Sequence, residues 1–206
     1  MLQMSEQQEM QTSSAIEGSG ARLLRRVAES RINYWLAYAV DLTCPAVLAY
    51  LGWQHASGWA AALLAFCGGA FVFSFIEYAL HRWLFHAPRS FARAIHQTHH
   101  SSPLAAVAIP FPSSAGAAFL MWSYLMPIAG EQQAGFFGSG LLSGYFWYSM
   151  LHHFQHSIRI RALPLRLLRR RWGAHAVHHG RSDRNFGVTT SFWDHVFGTY
   201  NSLRKQ

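Results

Sequence analysis

Charged residues punctuate this chain unevenly. Between Arg31 and Glu77 the only one is Asp41, and between Arg93 and Arg159 the only one is Glu131. Turns bearing glycine, Gly52 to Gly58 and Gly130 to Gly135, divide the two apolar stretches into 34–53, 59–80, 112–130 and 135–151. Each piece is close to the ~20 residues that a helix needs to cross a bilayer. The pattern predicts an all-α chain with about four transmembrane helices. Pro110 and Pro112 blur the start of the third, and the fourth is short unless it runs past the interface. Two deep helical hairpins are a variant of this reading, and a soluble all-α core is the bland alternative.

Composition supports the membrane reading. Charged residues make up 13% of the 206, about half the ~25% usual for soluble domains. Aromatics reach 15%, which excludes a disordered chain. Two cysteines, Cys44 and Cys67, both in apolar runs, exclude a disulfide scaffold. Length permits a single domain.

All 17 Lys and Arg fall in the N-terminal arm, the 81–103 loop or the C-terminal segment, and none in the turns at 54–58 and 130–134. Four spans put those three regions on one side, and the positive-inside rule makes that side cytoplasmic, with both termini. The net charge of +8 is thereby assigned to topology and anionic headgroups. No nucleic-acid recognition motif accompanies it, so no nucleic-acid partner is expected. Residues 1–20, rich in Gln, Ser and Glu, read as a disordered cytoplasmic tail. Residues 21–32 and 158–172, the latter broken at Pro164, read as basic amphipathic helices on the membrane surface, or as ordinary flanking charge.

Thirteen histidines change the picture. Eleven fall in four clusters: His81 and His86; His96, His99 and His100; His152, His153 and His156; and His175, His178 and His179. The second and fourth share the pattern H-x-x-H-H. On a helix, partners at i+3 and i+4 lie on the same face as residue i, which would present three imidazoles to one point. His152 and His156 are likewise one turn apart. His81 and His86 are about 140° apart on an ideal helix, so they serve different metals, or the helix ends between them. Imidazole is the commonest protein metal ligand, and ten of them exceed one coordination sphere, so two adjacent metals are expected. A lone histidine is more often a surface or hydrogen-bonded core residue; His55, His195 and His153 fall under that reading.

The four boxes in this order, with the closing stretch Asn185-Phe186-Gly187, Trp193-Asp194 and Phe197-Gly198-Thr199, resemble the fatty acid hydroxylase / sterol desaturase superfamily of membrane di-iron oxygenases. The resemblance runs from Glu77-Tyr78 to Gly198-Thr199. Within it, His81-x4-His86 and Tyr148-Ser-Met-Leu-His152-x3-His156 resemble the fatty acid 2-hydroxylase branch. Ser149 departs from an Asp common there. The resemblance implies a membrane-embedded domain over 21–206, with histidine boxes at 77–179, a closing motif at 185–199 and a cytoplasmic helical cap. It implies metal ligation by His81, His86, His96, His99, His100, His152, His156, His175, His178 and His179. Glu77, one turn before His81, and Asp194 are candidates for fixing imidazole tautomers from a second layer; helix capping or pairing with Arg82 or Arg184 is the plainer role.

The expected cofactors are two iron ions and O2, with zinc as a substitute in purified protein because imidazole sites also suit zinc. The expected reaction is O2-dependent hydroxylation of a fatty acid or fatty-acyl lipid, at C2 by analogy with the branch. A separate electron donor, a ferredoxin or a cytochrome b5-like protein, follows, since no such domain is recognised in the chain. Sterol or carotenoid hydroxylation, or desaturation, is the alternative within the superfamily. A metal transporter or a bis-histidine haem carrier is the alternative outside it; a transporter should place its ligands near the bilayer midplane rather than at one side.

Overall fold

The computed structural model of the chain describes residues 19–55, 57–87, 90–159 and 165–202. Its described residues form helices and connecting turns, without strands. The elements are α1 (Ser19–Ala28), α2 (Arg31–Gln54), α3 (Trp59–Leu80), a π-helical turn (His81–Phe85) continuous with α3, α4 (Phe91–Ser101), α5 (Phe111–Ala129), α6 (Glu131–Ser157), α7 (Arg166–Gly180) and the short α8 (Phe192–Val196). Most of the tail expected over 1–20 lies outside the described residues, and Ser19 and Gly20 open α1. The basic helix expected over 21–32 stops at Ala28, because Ser30 is extended and caps α2, its hydroxyl accepting from the Asn33 amide. The helix expected over 158–172 is not continuous: Ile158 caps α6 in an extended conformation and α7 opens at Arg166, while 160–164 lies outside the described residues.

The four long helices follow one another as two pairs, α2 then α3 and α5 then α6, each pair joined by a short turn. Gly130 (φ 85°) both ends α5 and starts α6, a left-handed conformation that favours glycine. The fourth apolar piece does continue: α6 runs 27 residues and carries His152 and His156 beyond the apolar stretch. It lies against α3, α2 and α5, and glycines set the distances. A Cβ on Gly69 would sit 2.0 Å from the Phe137 carbonyl oxygen, and one on Gly140 1.9 Å from that of Phe66. Gly52 and Gly135 do the same for α2 and α6, where a Cβ on Gly135 would be 2.7 Å from the Gly52 Cα. Such small-residue seams let backbones approach where no hydrophobic drive exists between helices.

Polarity is inverted relative to a soluble core. Trp35, Trp53, Trp59, Leu63 and Leu64 are each at least 60% exposed, while Asp41, Gln132 and Ser139 are each 3% exposed. Asp41 on α2 accepts from the Ser114 hydroxyl on α5 at 2.7 Å, so the one charged group of the first apolar stretch is turned inward and bonded. At one end of the bundle Gln132 ties the two pairs together, accepting from the Ser57 amide and hydroxyl and donating to the Gly58 carbonyl. At the other end Asn33 donates to the carbonyls of Ala108 and Ile109 and accepts from the Phe111 amide. The histidine-bearing segments gather at this second end. Two helices, Arg31–Gln54 and Trp59–Phe85 with its π turn, are long and apolar enough to cross a membrane. The other two long helices, α5 and α6, run 19 and 27 residues.

The glycine seam yields a direct test. Gly140→Val should destabilise the purified protein by about 1–3 kcal/mol or more, because backbone rather than a flexible side chain must move. Gly116→Ala, with nothing within 4 Å of the added carbon, should be neutral or slightly stabilising. Thermal unfolding in detergent checks both, and similar midpoints for the two variants would contradict the close α3–α6 approach.

Candidate metal centre

Ten histidines from four segments converge into two sets. His81, His86, His96, His100 and His178 form one, and His99, His152, His156, His175 and His179 the other. Within each set the candidate ligand nitrogens all lie within 4.8 Å of one another. The sets adjoin: His100 stacks on His179 with ring centroids 4.3 Å apart.

The boxes are divided between the sets in a way that sequence spacing did not anticipate. In α4, His96 and His100 serve the first set and His99 the second. In α7, His175 and His179 serve the second set and His178 the first. An H-x-x-H-H box therefore does not present three rings to one point. Residues i+3 and i+4 lie on either side of residue i, about 100° from each other, so the i,i+4 pair clasps one point and i+3 turns to its neighbour. His81 and His86 also join one set instead of two. The wider π turn between them, with His86 as its cap, brings their rings to 5.2 Å. Such turns occur often at functional sites.

Hydrogen-bond accounting shows what the sets can accept. His81 Nδ1 donates to the Phe186 carbonyl at 2.5 Å and His178 Nδ1 to that of Arg184 at 2.7 Å. A carbonyl only accepts, so both rings carry their proton on Nδ1 and turn an Nε2 lone pair inward. His96 Nε2 has three other Nε2 atoms around it, those of His81, His86 and His100, at 3.1, 3.2 and 3.0 Å. One nitrogen offers one proton or one lone pair, so protons cannot satisfy all three contacts. In the second set the Nε2 atoms of His99, His152 and His179 are buried with no hydrogen-bond partner. Each unpaired buried polar atom is costly. A cation at the centre of each set would accept these lone pairs, and the all-imidazole donors suit iron or zinc. Burial, and secondarily the neighbouring imidazoles, push His99 down to about 2 and His179 to about 3. Burial likewise lowers His86 and His100 to about 4. All four rings are neutral near pH 7, the state that binds metals.

Three histidines stay outside both sets. His153 meets the Tyr34 and Ser157 hydroxyls, His195 stacks on Tyr200, and His55 pairs with Glu131 at the far end of the bundle. Neither Glu77 nor Asp194 hydrogen-bonds an imidazole among the described residues, and neither pairs with Arg82 or Arg184. Arg82 donates to the Tyr78 hydroxyl and Arg184 to Asp183. His81 and His178 are held instead by the main-chain carbonyls of Phe186 and Arg184, which sequence could not single out because every residue has one. Ser149 accepts from the Tyr38 hydroxyl on its main-chain carbonyl at 3.0 Å.

A membrane-type helical bundle ending in ten clustered histidines defines the class, and comparison with known proteins gives the family. The family model described as fatty acid hydroxylase matches residues 66–199, and the chain belongs to that family. It is 35% identical over 142 residues to the dihydroceramide fatty acyl 2-hydroxylase FAH1 of Arabidopsis thaliana, covering 64% of this chain and 58% of the relative. It is 36% identical over 154 residues to the ceramide very long chain fatty acid hydroxylase SCS7 of Saccharomyces cerevisiae, covering 68% and 38%. A solved structure, full-length scs7p with only its hydroxylase domain visible, superposes with a TM-score of 0.68 at 29% identity, over 82% of this chain and 66% of that one. The chain thus spans well under two thirds of the length of these curated relatives.

If each set holds one ion, pure protein in a non-chelating buffer should carry about two Fe or Zn per chain. Elemental analysis checks this, and a value at or below one in fully loaded protein would rule out two sites.

Proposed function

We propose that the chain is an O2-dependent lipid hydroxylase that inserts oxygen into the acyl chain of a fatty acid or fatty-acyl lipid, at C2. The observation that carries this reading is the pair of five-histidine sets, joined to the relatives whose names specify fatty acyl 2-hydroxylation. The ten histidines would hold two iron ions, five to each, with zinc able to replace iron. Bound there, the ions would supply O2 activation, which no amino-acid side chain provides. Electrons come from a separate donor protein of the ferredoxin or cytochrome b5 type.

The chain's own residues supply position. In this reading all four long helices span the bilayer, both termini are cytoplasmic, and the histidine-bearing helices form a cytoplasmic cap. The basic residues flanking that end of the bundle support the orientation. A lipid lying beside the helices has its headgroup and first methylenes at the level of the cap, which favours reaction near the polar end of the chain. A cleft of about 410 Å³ between α3, α6 and the 189–192 turn, walled by Phe71, Phe73, Trp147 and Phe192, suits an acyl segment there. Its Thr189 wall also binds Glu77, one helical turn from His81. A metal transporter is less well supported, since the ligands gather at one end of the bundle instead of at its middle.

Growth under oxygen-18 with mass spectrometry of total lipids tests the chemistry. The expected product is a 2-hydroxyacyl lipid carrying one labelled oxygen. A double bond, or oxygen drawn from water, would overturn the hydroxylase reading. Changing His99, His156 or His178 to Ala should abolish the product and leave the protein in the membrane, because each change removes a ligand and leaves the apolar helices intact. For topology, reporter fusions at residues 56 and 132 should be active only outside the cytoplasm, and cytoplasmic activity at either would refute the four-span arrangement.

A further inference from the structure

Two carboxylates account for a run of main-chain amides beside the first histidine set. Asp194, fully buried, accepts from the Phe186 amide (2.8 Å), the Gly187 amide (2.9 Å) and the Thr199 hydroxyl (2.7 Å). Glu77, 5% exposed, accepts from the Val188 and Thr189 amides and the Thr189 hydroxyl. Four consecutive N–H groups, 186 to 189, are thus held by two acids from α8 and α3. Gly187 permits the fold of this segment, since a Cβ there would lie 2.0 Å from the Thr190 carbonyl oxygen.

The other side of the same peptide groups faces the imidazoles. The peptide joining Phe186 and Gly187 gives its N–H to Asp194 and accepts the His81 Nδ1 proton on its carbonyl. The peptide joining Arg184 and Asn185 gives its N–H to the Thr199 carbonyl and accepts the His178 Nδ1 proton. Thr199 is in turn fixed by its hydroxyl on Asp194. The first is a carboxylate-to-histidine chain with one peptide inserted, and the second reaches Asp194 through Thr199, whose carbonyl holds the peptide and whose hydroxyl is held by the acid. Hydrogen bonds in such a chain polarise one another, so the carboxylate charge makes the carbonyl a stronger acceptor and the ring a more basic ligand. Both chains end in the first set. Among the described residues the second set shows no equivalent: His175 Nδ1 is buried without a partner, and His152 stacks on Tyr148 at 5.5 Å.

We propose that Asp194, with Glu77 behind it, is a positioning residue for one metal position only, that of His81, His86, His96, His100 and His178, acting through the 184–187 peptide groups. The two positions are therefore unequal, and the first holds its ion more tightly for reasons that lie outside its ligands. This rests on the reading that the ten histidines hold two ions.

Iron content per chain separates the two claims. Wild type should hold about two, and His175→Ala and His178→Ala about one each. Asp194→Asn should hold about one. Combined with His178→Ala it should lose nothing further; combined with His175→Ala it should hold almost none. Should Asp194→Asn fail to fold, Thr199 decides. Thr199→Val should release the first-set ion to a chelator about tenfold faster than wild type, within the 10–100-fold usual for outer-layer partners. Thr199→Ser, which keeps the hydroxyl, should behave as wild type. Two ions retained in Asp194→Asn, equal loss from both sets, or an unchanged Thr199→Val would overturn the inference while the two-ion reading stands. One ion or fewer in fully loaded wild type would overturn both.

Discussion

Ten imidazoles brought together with their lone pairs facing inward impose the main constraint on this molecule. Nitrogens about 3 Å apart, several with no proton between them, repel unless a cation or a proton intervenes, and burial has made protonation unfavourable. The arrangement can be kept only if the surrounding structure is rigid enough to hold the rings in place. Much of the fold serves that end: a π turn at the end of α3, i,i+4 pairs on α4, α6 and α7, and a closing segment that grips the rings from outside.

The bundle solves the opposite problem. Its outer face is apolar and its few polar side chains are turned inward and paired, as with Asp41 and Ser114. Contact between α3 and α6 depends on glycines that let their backbones meet. That seam matters to the site as well, because α3 carries His81 and α6 carries His152 and His156. A shift between these two helices would move one histidine set against the other.

The closing segment joins the two parts. Glu77 reaches from α3 to the 188–189 amides, and Trp193 donates from α8 to the Ser74 hydroxyl on α3. Tyr78 meets Thr199 through its hydroxyl and stacks on Phe197 at 5.2 Å. The last twenty described residues are thus fastened to the end of a bundle helix, and the carbonyls they offer to His81 and His178 are fixed relative to the ligands from α4 and α7.

Much of this was legible in the sequence, where the information is local. Charge gaps and glycine turns located the first three long helices to within three residues and left the fourth short at both ends, because apolar runs and turn residues act over one element while α6 continues past its apolar stretch. Spacing of three and four marked the histidine boxes, and all of their eleven residues except His153 fall in the two sets. Spacing did not show how the boxes are shared. That His99 parts from His96 and His100, and His178 from His175 and His179, depends on which neighbour each helix face meets. The joining of His81 to His86 depends on a local widening of the helix that no spacing rule announces. Asp194 and His81 do not touch but share the Phe186–Gly187 peptide, whereas Glu77 meets only the 188–189 amides. Sequence can propose an acid beside a histidine, but only the tertiary path of 184–189 places a peptide group between them, since any residue can supply that carbonyl and the fold alone chooses which one does.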